Sequence, residues 1–184
     1  MRAVFPAVAA LVVLPLAAAL TACSDPFGSN EQFLRLDSLT LASVTNGPSS
    51  LPSAVDVALA NSPAFPERPS TVGNWDVQVR QSGSSFFLVP NPGNGSFRGA
   101  GLQKTTRTLE NPGSAPRESD SYTRTEVAVS PGDVFFVQAR QQTPTCGTLP
   151  IFGILKVVSV AADSGIAHIA VRSNQSCGDE RLEF

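Results

Sequence analysis

The sequence predicts an all-β protein: a single β-sandwich or open-barrel domain of about eight to ten mostly antiparallel strands, following an N-terminal signal peptide. Three observations carry this. Val, Thr, Ser, Phe, Gly and Pro dominate the chain beyond the leader, while the helix formers Lys, Glu and Met are scarce. With 14 Gly and 15 Pro, turn residues recur too often for helices of ordinary length. Between them, apolar and polar residues alternate with the period of two that a half-buried strand requires.

The leader comes first. Met1-Arg2 gives a short positive start, and Ala3 to Leu20 is an uncharged Ala/Val/Leu run. Pro6, Pro15 and the lack of a basic flank afterwards argue against a membrane-spanning helix. Leu20-Thr21-Ala22-Cys23 resembles a lipobox, which implies cleavage before Cys23 and a diacylglycerol thioether on its sulfur. Each buried methylene contributes about 0.8 kcal/mol, so two or three acyl chains anchor where one binds only reversibly. The expected division is therefore a signal peptide over 1–22, a lipidated Cys and tether over 23–31, and an extracytoplasmic β-domain over 32–184. The expected membrane contact is the lipid on Cys23. An Asp after the cysteine favours inner-membrane retention in Gram-negative cells. Ser24 stands there instead, which points to the outer membrane where the cell has one.

The strands follow in order. Phe33–Val44 reads as a long strand whose apolar parity shifts between Leu36 and Leu39, suggesting a bulge. Ala54–Ala60 would place Val55, Val57 and Leu59 on one face, and the proline-rich stretch 61–71 reads as a loop. Trp75–Arg80 would turn Trp75, Val77 and Val79 inward, then reverse at Ser82-Gly83 into Ser85–Val89. Pro90–Gly101 reads as a loop, Leu102–Leu109 as a polar strand, and Asn111–Asp120 as a loop too polar for a core. Tyr122–Val129 would share Thr123, Thr125, Val127 and Val129 on one side. Pro131-Gly132-Asp133 turns into Val134–Arg140, with Phe135, Val137 and Ala139 inward. Gly153–Ala161 and Gly165–Arg172 flank a turn at 162–165, with Ala167, Ile169 and Val171 inward, and Arg181–Phe184 adds a short last strand.

Charge and cysteine content bound the function. Loss of Arg2 with the leader takes the formal charge from −2 to −3, with no basic stripe, so nucleic acid is excluded as a partner. With Cys23 used for lipid, Cys146 and Cys177 remain as an even pair in an exported chain and are expected to form a disulfide.

The chain is sparsely equipped for catalysis. His168 is the single histidine, on the outward parity of its strand together with Arg172, and no nucleophile elbow surrounds any serine. Gly93–Gly101 is glycine-rich without dinucleotide or P-loop spacing, and reads as a solvated loop able to contact a ligand. No metal site is expected: Asp163 sits in a turn, and Asp179-Glu180 lacks the ligand spacing of a calcium loop. The sequons at Asn94 and Asn174 carry little weight in a bacterial chain. Phe87 and Phe136 fall off the inward parity of their neighbours and are expected to face a second sheet, a partner or a ligand.

Several segments, taken together, are similar to a known family. They are the lipobox, Asn74-Trp75-Asp76-Val77, the glycine-rich stretch Gly93–Gly101, Pro131-Gly132-Asp133-Val134-Phe135-Phe136-Val137, and Phe152-Gly153-Ile154-Leu155-Lys156-Val157. Over roughly residues 74–172 the chain resembles the HmuY-like lipoproteins, a mostly-β family that includes haem carriers. The resemblance implies a hand-like β fold with a ligand cleft. The family's paired axial ligands do not map: this chain has one His and, beyond Met1, no Met.

The expectation is a non-catalytic envelope lipoprotein whose β-domain binds a protein partner or small ligand without a cofactor. Two alternatives stand beside it. One is a haem or tetrapyrrole carrier of HmuY-like type, with His168 as its ligand candidate; the other is a structural component of envelope assembly.

Overall fold

In a computed structural model, the residues described are 34–59, 61–66, 73–141 and 146–183. The expected signal peptide, Cys23 and the expected tether lie outside them. The period-two runs become ten strands: β1 (Leu34–Ala42), β2 (Ala54–Asp56), β3 (Ser62–Ala64), β4 (Val77–Ser82), β5 (Ser85–Pro90), β6 (Gly101–Thr105), β7 (Val127–Val129), β8 (Val134–Gln138), β9 (Phe152–Ala161) and β10 (Ile166–Asn174). One five-stranded sheet runs β1-β10-β9-β8-β6 and the other β3-β2-β4-β5-β7. All pairings are antiparallel. The two sheets stack as a sandwich and do not close into a barrel.

Alternation fills the space between them. Val77, Val79, Phe86 and Leu88 from the second sheet meet Phe135, Val137, Leu155, Val157, Ile169 and Val171 from the first. Each such side chain contributes about 1.5–3 kcal/mol on burial, so the inward positions dominate stability. Local turn chemistry fixes the register: β4 and β5 close at Ser82↔Ser85 around Gly83-Ser84, and β9 and β10 at Ala161↔Ile166 around 162–165.

Several expectations are corrected. β1 pairs with β10 without a break, and Leu36 simply faces outward, 54% exposed. The irregularity lies across the ladder, between His168 and Ile169 of β10. β2 stops at Asp56, because the Asp76 carboxylate takes the Val57 and Ala58 amides and Asp56 takes that of Leu59. Leu59 is consequently exposed. Within the expected loop 61–71, Ser62–Ala64 forms an edge strand in spite of Pro63, since an edge position can forgo one ladder donor. Trp75 precedes its strand and is half-buried, and Asp76 beside it is fully buried. β6 ends at Thr105, and the strand expected over 122–129 is confined to Val127–Val129. Thr123 still bridges Leu102 of the first sheet, so the chain changes sheets between Thr123 and β7. The expected final strand reduces to one bridge, Ser114↔Arg181.

The outer face of the first sheet is covered over part of its length. Leu109, Ala115, Tyr122 and Leu182 pack on Phe136, Phe152, Ile154 and Ala170 as a second apolar cluster. Of the stretch 111–120, expected to be a polar loop, only Ala115 joins this cluster. Phe136 lies within it, and Arg172 is buried despite its outward parity. Phe87 stays half-buried on the outside of the second sheet, with the Arg80 guanidinium 4.8 Å from its ring centre. Cys146 and Cys177 form the expected disulfide, with Cα atoms 5.4 Å apart.

Candidate functional site

Three charged residues meet at one end of the sandwich. Asp56 ends β2, Asp76 immediately precedes β4, and Arg140 follows β8 by two residues, so the contact ties one sheet to the other. Arg140 Nη2 donates to Asp56 Oδ2 at 2.8 Å and Nη1 to Asp56 Oδ1 at 3.2 Å. Nη1 also lies 2.9 Å from Asp76 Oδ1, which accepts the Arg140 backbone amide at 2.8 Å as well. Asp76 Oδ2 accepts the amides of Val57 and Ala58 at 2.8 and 3.0 Å. All three are removed from water, with exposures of 2%, 0% and 7% in sequence order. Burial pushes the Asp76 carboxyl up to about 6 against the opposing pull of Arg140. Burial also works against the Arg140 cation, yet Asp76 and Asp56 outweigh it and hold its pKa above the ordinary value.

The loop between β5 and β6 is built on this corner. Asn91, 5% exposed, receives its place from the Asp76 carbonyl, which accepts its amide at 2.8 Å. Its side-chain amide donates to the Trp75 carbonyl at 2.7 Å, and its Oδ1 accepts the Gly93 amide at 2.9 Å. The loop then doubles back, with Gly93 bridged to Arg98 and the Ala100 amide returning to the Asn91 carbonyl at 2.8 Å. Two positions demand glycine. A Cβ on Gly93, at φ +77°, would lie 2.3 Å from the Phe97 carbonyl oxygen, and one on Gly99 would lie 2.2 Å from that of Asn91.

The loop and the segment after β8 enclose a cleft of about 220 Å³. Asn74, Asn91, Asn94, Phe97, Arg98 and Gln141 line it, along with Arg140. The backbones of Arg98 and Gln141 are locked together: the Gln141 amide donates to the Arg98 carbonyl, and Gln141 Oε1 accepts the Arg98 amide, both at 2.9 Å.

Arg98 is otherwise poorly matched. Its Nε and Nη2 are buried and have no hydrogen-bond partner among the described residues. Burial, followed by the neighbouring Arg124 cation, lowers its pKa. Arg124 is fully engaged, donating to the carbonyls of Gly99 and Ala100, to Ser119 Oγ and to Gln138 Oε1. The cleft is thus walled by amides, one half-exposed phenyl ring and a cation with spare donors. Its described lining contains no histidine, cysteine or carboxylate, so its evident chemistry is hydrogen bonding and charge recognition.

His168 is found elsewhere. It sits exposed on the outer face of β10, as expected, near the hairpin turn and at the opposite end of the first sheet from the cleft. Its Nδ1 lies 3.0 Å from Thr40 Oγ1. Leu39, Val158, Ser159 and Ile169 join it around a wide, open depression. Among the described residues, no group of three or more His, Cys, Asp or Glu is placed to hold a metal ion.

Sequence reasoning named the glycine-rich loop as ligand-competent and missed Asp56, Asp76 and Arg140. A signal was present: each is a lone charge within or directly against an apolar run, where an unpaired charge is costly. No protein-family model, curated protein or solved structure matches the chain.

Proposed function

We propose that this chain is a lipid-anchored, extracytoplasmic binding protein that acts without catalysis, and that the cleft beside the 91–100 loop is its ligand site. The observation that supports the reading is the construction of the cleft. Amide side chains and an arginine are presented by a loop that Asn91 and the buried ion triad hold in one shape. Recognition is commonly placed on such loops, fixed to a rigid scaffold. The anchor rests on the lipobox-like Leu20–Cys23.

The test is a ligand screen on the isotope-labelled full-length chain by two-dimensional NMR. Shifts concentrated on Asn94, Phe97 and Gln141 are expected; a cleft silent to every compound would overturn the reading. Ester, peptide and glycoside panels should show no turnover. Reproducible turnover abolished by His168→Ala would overturn the non-catalytic part. Metabolic labelling with a radioactive fatty acid should mark the chain and be lost in Cys23→Ala.

A second reading, a tetrapyrrole carrier of HmuY-like type, has the exposed His168 ring in its favour, set beside Leu39 and Val158 and held by Thr40. The residues there fit an iron bound by one imidazole and not one held by two histidines or a His–Met pair. A saturable one-to-one Soret shift lost in His168→Ala would favour this reading, and a flat haem titration would remove it.

A further inference from the structure

We propose that the cleft is an oxyanion site, and that its ligand is a small molecule whose carboxylate or phosphate group is taken by Arg98. The inference rests on the cleft being the ligand site and names the chemistry it selects.

Arg98 carries the argument. A guanidinium presents Nε and one Nη as a fork that matches the two oxygens of a carboxylate or phosphate. On Arg98 this edge, Nε with Nη2, is buried and unmet. A buried donor left unmade costs more than an ordinary hydrogen bond contributes, about 1–3 kcal/mol and more when charged. Rotation about the terminal side-chain bonds to meet an oxyanion in the cleft exchanges that deficit for two charge-assisted bonds.

The surroundings leave the position to a ligand. The buried carboxylates among the described residues, Asp56 and Asp76, are occupied by Arg140 and by backbone amides. Arg124, which further depresses the Arg98 pKa, is held by its own four acceptors and cannot move away. Glu118 and Asp120 influence Tyr122 and Arg124 from the neighbouring turn, but neither bonds to Arg98. Two cations close together, without a bonded counter-charge on Arg98, favour an anion. The amides of Asn74 and Asn94 add neutral donors around it, while the Gln141 side chain bonds the Thr148 carbonyl and the Arg98 amide.

Size and shape narrow the class. A volume of about 220 Å³ suits a compact molecule. Phe97, 39% exposed on the wall, offers a ring face to an apolar or aromatic body.

The experiment is an NMR titration of the full-length chain in detergent with benzoate, acetate and inorganic phosphate, following the Arg98 Nε–H and the Asn94 and Gln141 side-chain amides. A saturable shift of the Arg98 Nε–H with at least one anion is expected. Arg98→Gln should weaken that binding by about tenfold or more, equivalent to about 1.4 kcal/mol. Arg98→Lys, which keeps the charge and loses the fork, should fall between the two. Benzoate binding that Phe97→Ala weakens, with phosphate unaffected, identifies an organic carboxylate; preference for phosphate identifies a phosphate ester. No saturable shift with any anion, or binding indifferent to Arg98→Gln, overturns the proposal. If neutral sugars or amides then shift Asn94 and Phe97, the binding-protein reading survives; a cleft silent to these as well removes both.

Discussion

Arg98 and Arg140 line the same cleft, yet the fold treats them in opposite ways. Arg140 reaches two carboxylates, and its own backbone amide completes the shell of one of them. Arg98, on the loop between β5 and β6, has two buried donors that no described residue meets. The difference separates a charge that organises the structure from a charge that the structure holds in reserve. Buried ion pairs are costly to break and poor sources of net stability, so their presence alone does not mark function. A half-buried cation whose buried edge no described residue meets, at the wall of a cleft, is the more informative of the two.

The comparison can be broken most forcefully at Arg140. Arg140→Ala would strand Asp56 and Asp76 without their cation, and a loss of about 3–5 kcal/mol is expected in urea denaturation. A loss below about 1 kcal/mol would show that the triad is not what joins the sheets. Next is the disulfide between Cys146 and Cys177, 31 residues apart; Thr148, within the loop it closes, accepts from Gln141 Nε2 through its carbonyl. Cys146→Ser with Cys177→Ser should cost about 3–4 kcal/mol by the loop-entropy relation. Anion shifts at Gln141 should weaken in the same variant.

A smaller effect is expected from pH. The folded-state pKa of Asp76 stands near 6 against an ordinary 3.8, so the folded state holds this proton more tightly than the unfolded chain does. The stabilisation from this group is full below the unfolded value and is lost as pH rises through about 6, a swing of about 2–3 kcal/mol. In Asp76→Asn that swing is absent, so the variant should gain on the wild type between about pH 4 and pH 7, as read from urea midpoints at each pH. A gap that widens with pH would contradict the assignment.

The smallest effect sharpens the contrast. Arg98→Leu removes a charge with nothing bonded to its buried edge, so stability should stay within about 1 kcal/mol or rise. A loss approaching that of Arg140→Ala would make the two arginines equivalent and both structural.

Much of the sandwich is legible in the sequence because alternation and tight turns are local properties. The β4–β5 and β9–β10 hairpins and the inward set of β8 all follow from them. What was not legible depends on partners distant in sequence. β2 ends where Asp76, nearly twenty residues on, captures its amides. Leu109, Ala115, Tyr122 and Leu182 show no period, so their joint roofing of the first sheet appears only once the chain returns on itself. For the site, the glycines announce the loop, but that Arg98 lacks a partner is a property of the whole neighbourhood.

The register of the first sheet also gives the molecule a polarity. Leu34 pairs with Asn174, Asn174 with Phe152, Phe152 with Gln138, and Gln138 with Gly101, so all five positions lie at the cleft end. The described domain begins, at Leu34, at the end that carries the cleft, while the 83–84 and 162–165 turns lie at the other. With lipid on Cys23, the ten residues before Leu34 span at most about 35 Å. The end of the domain that carries the cleft would then be held within about that distance of the bilayer surface. Tether length would set how far from the membrane surface that end can reach.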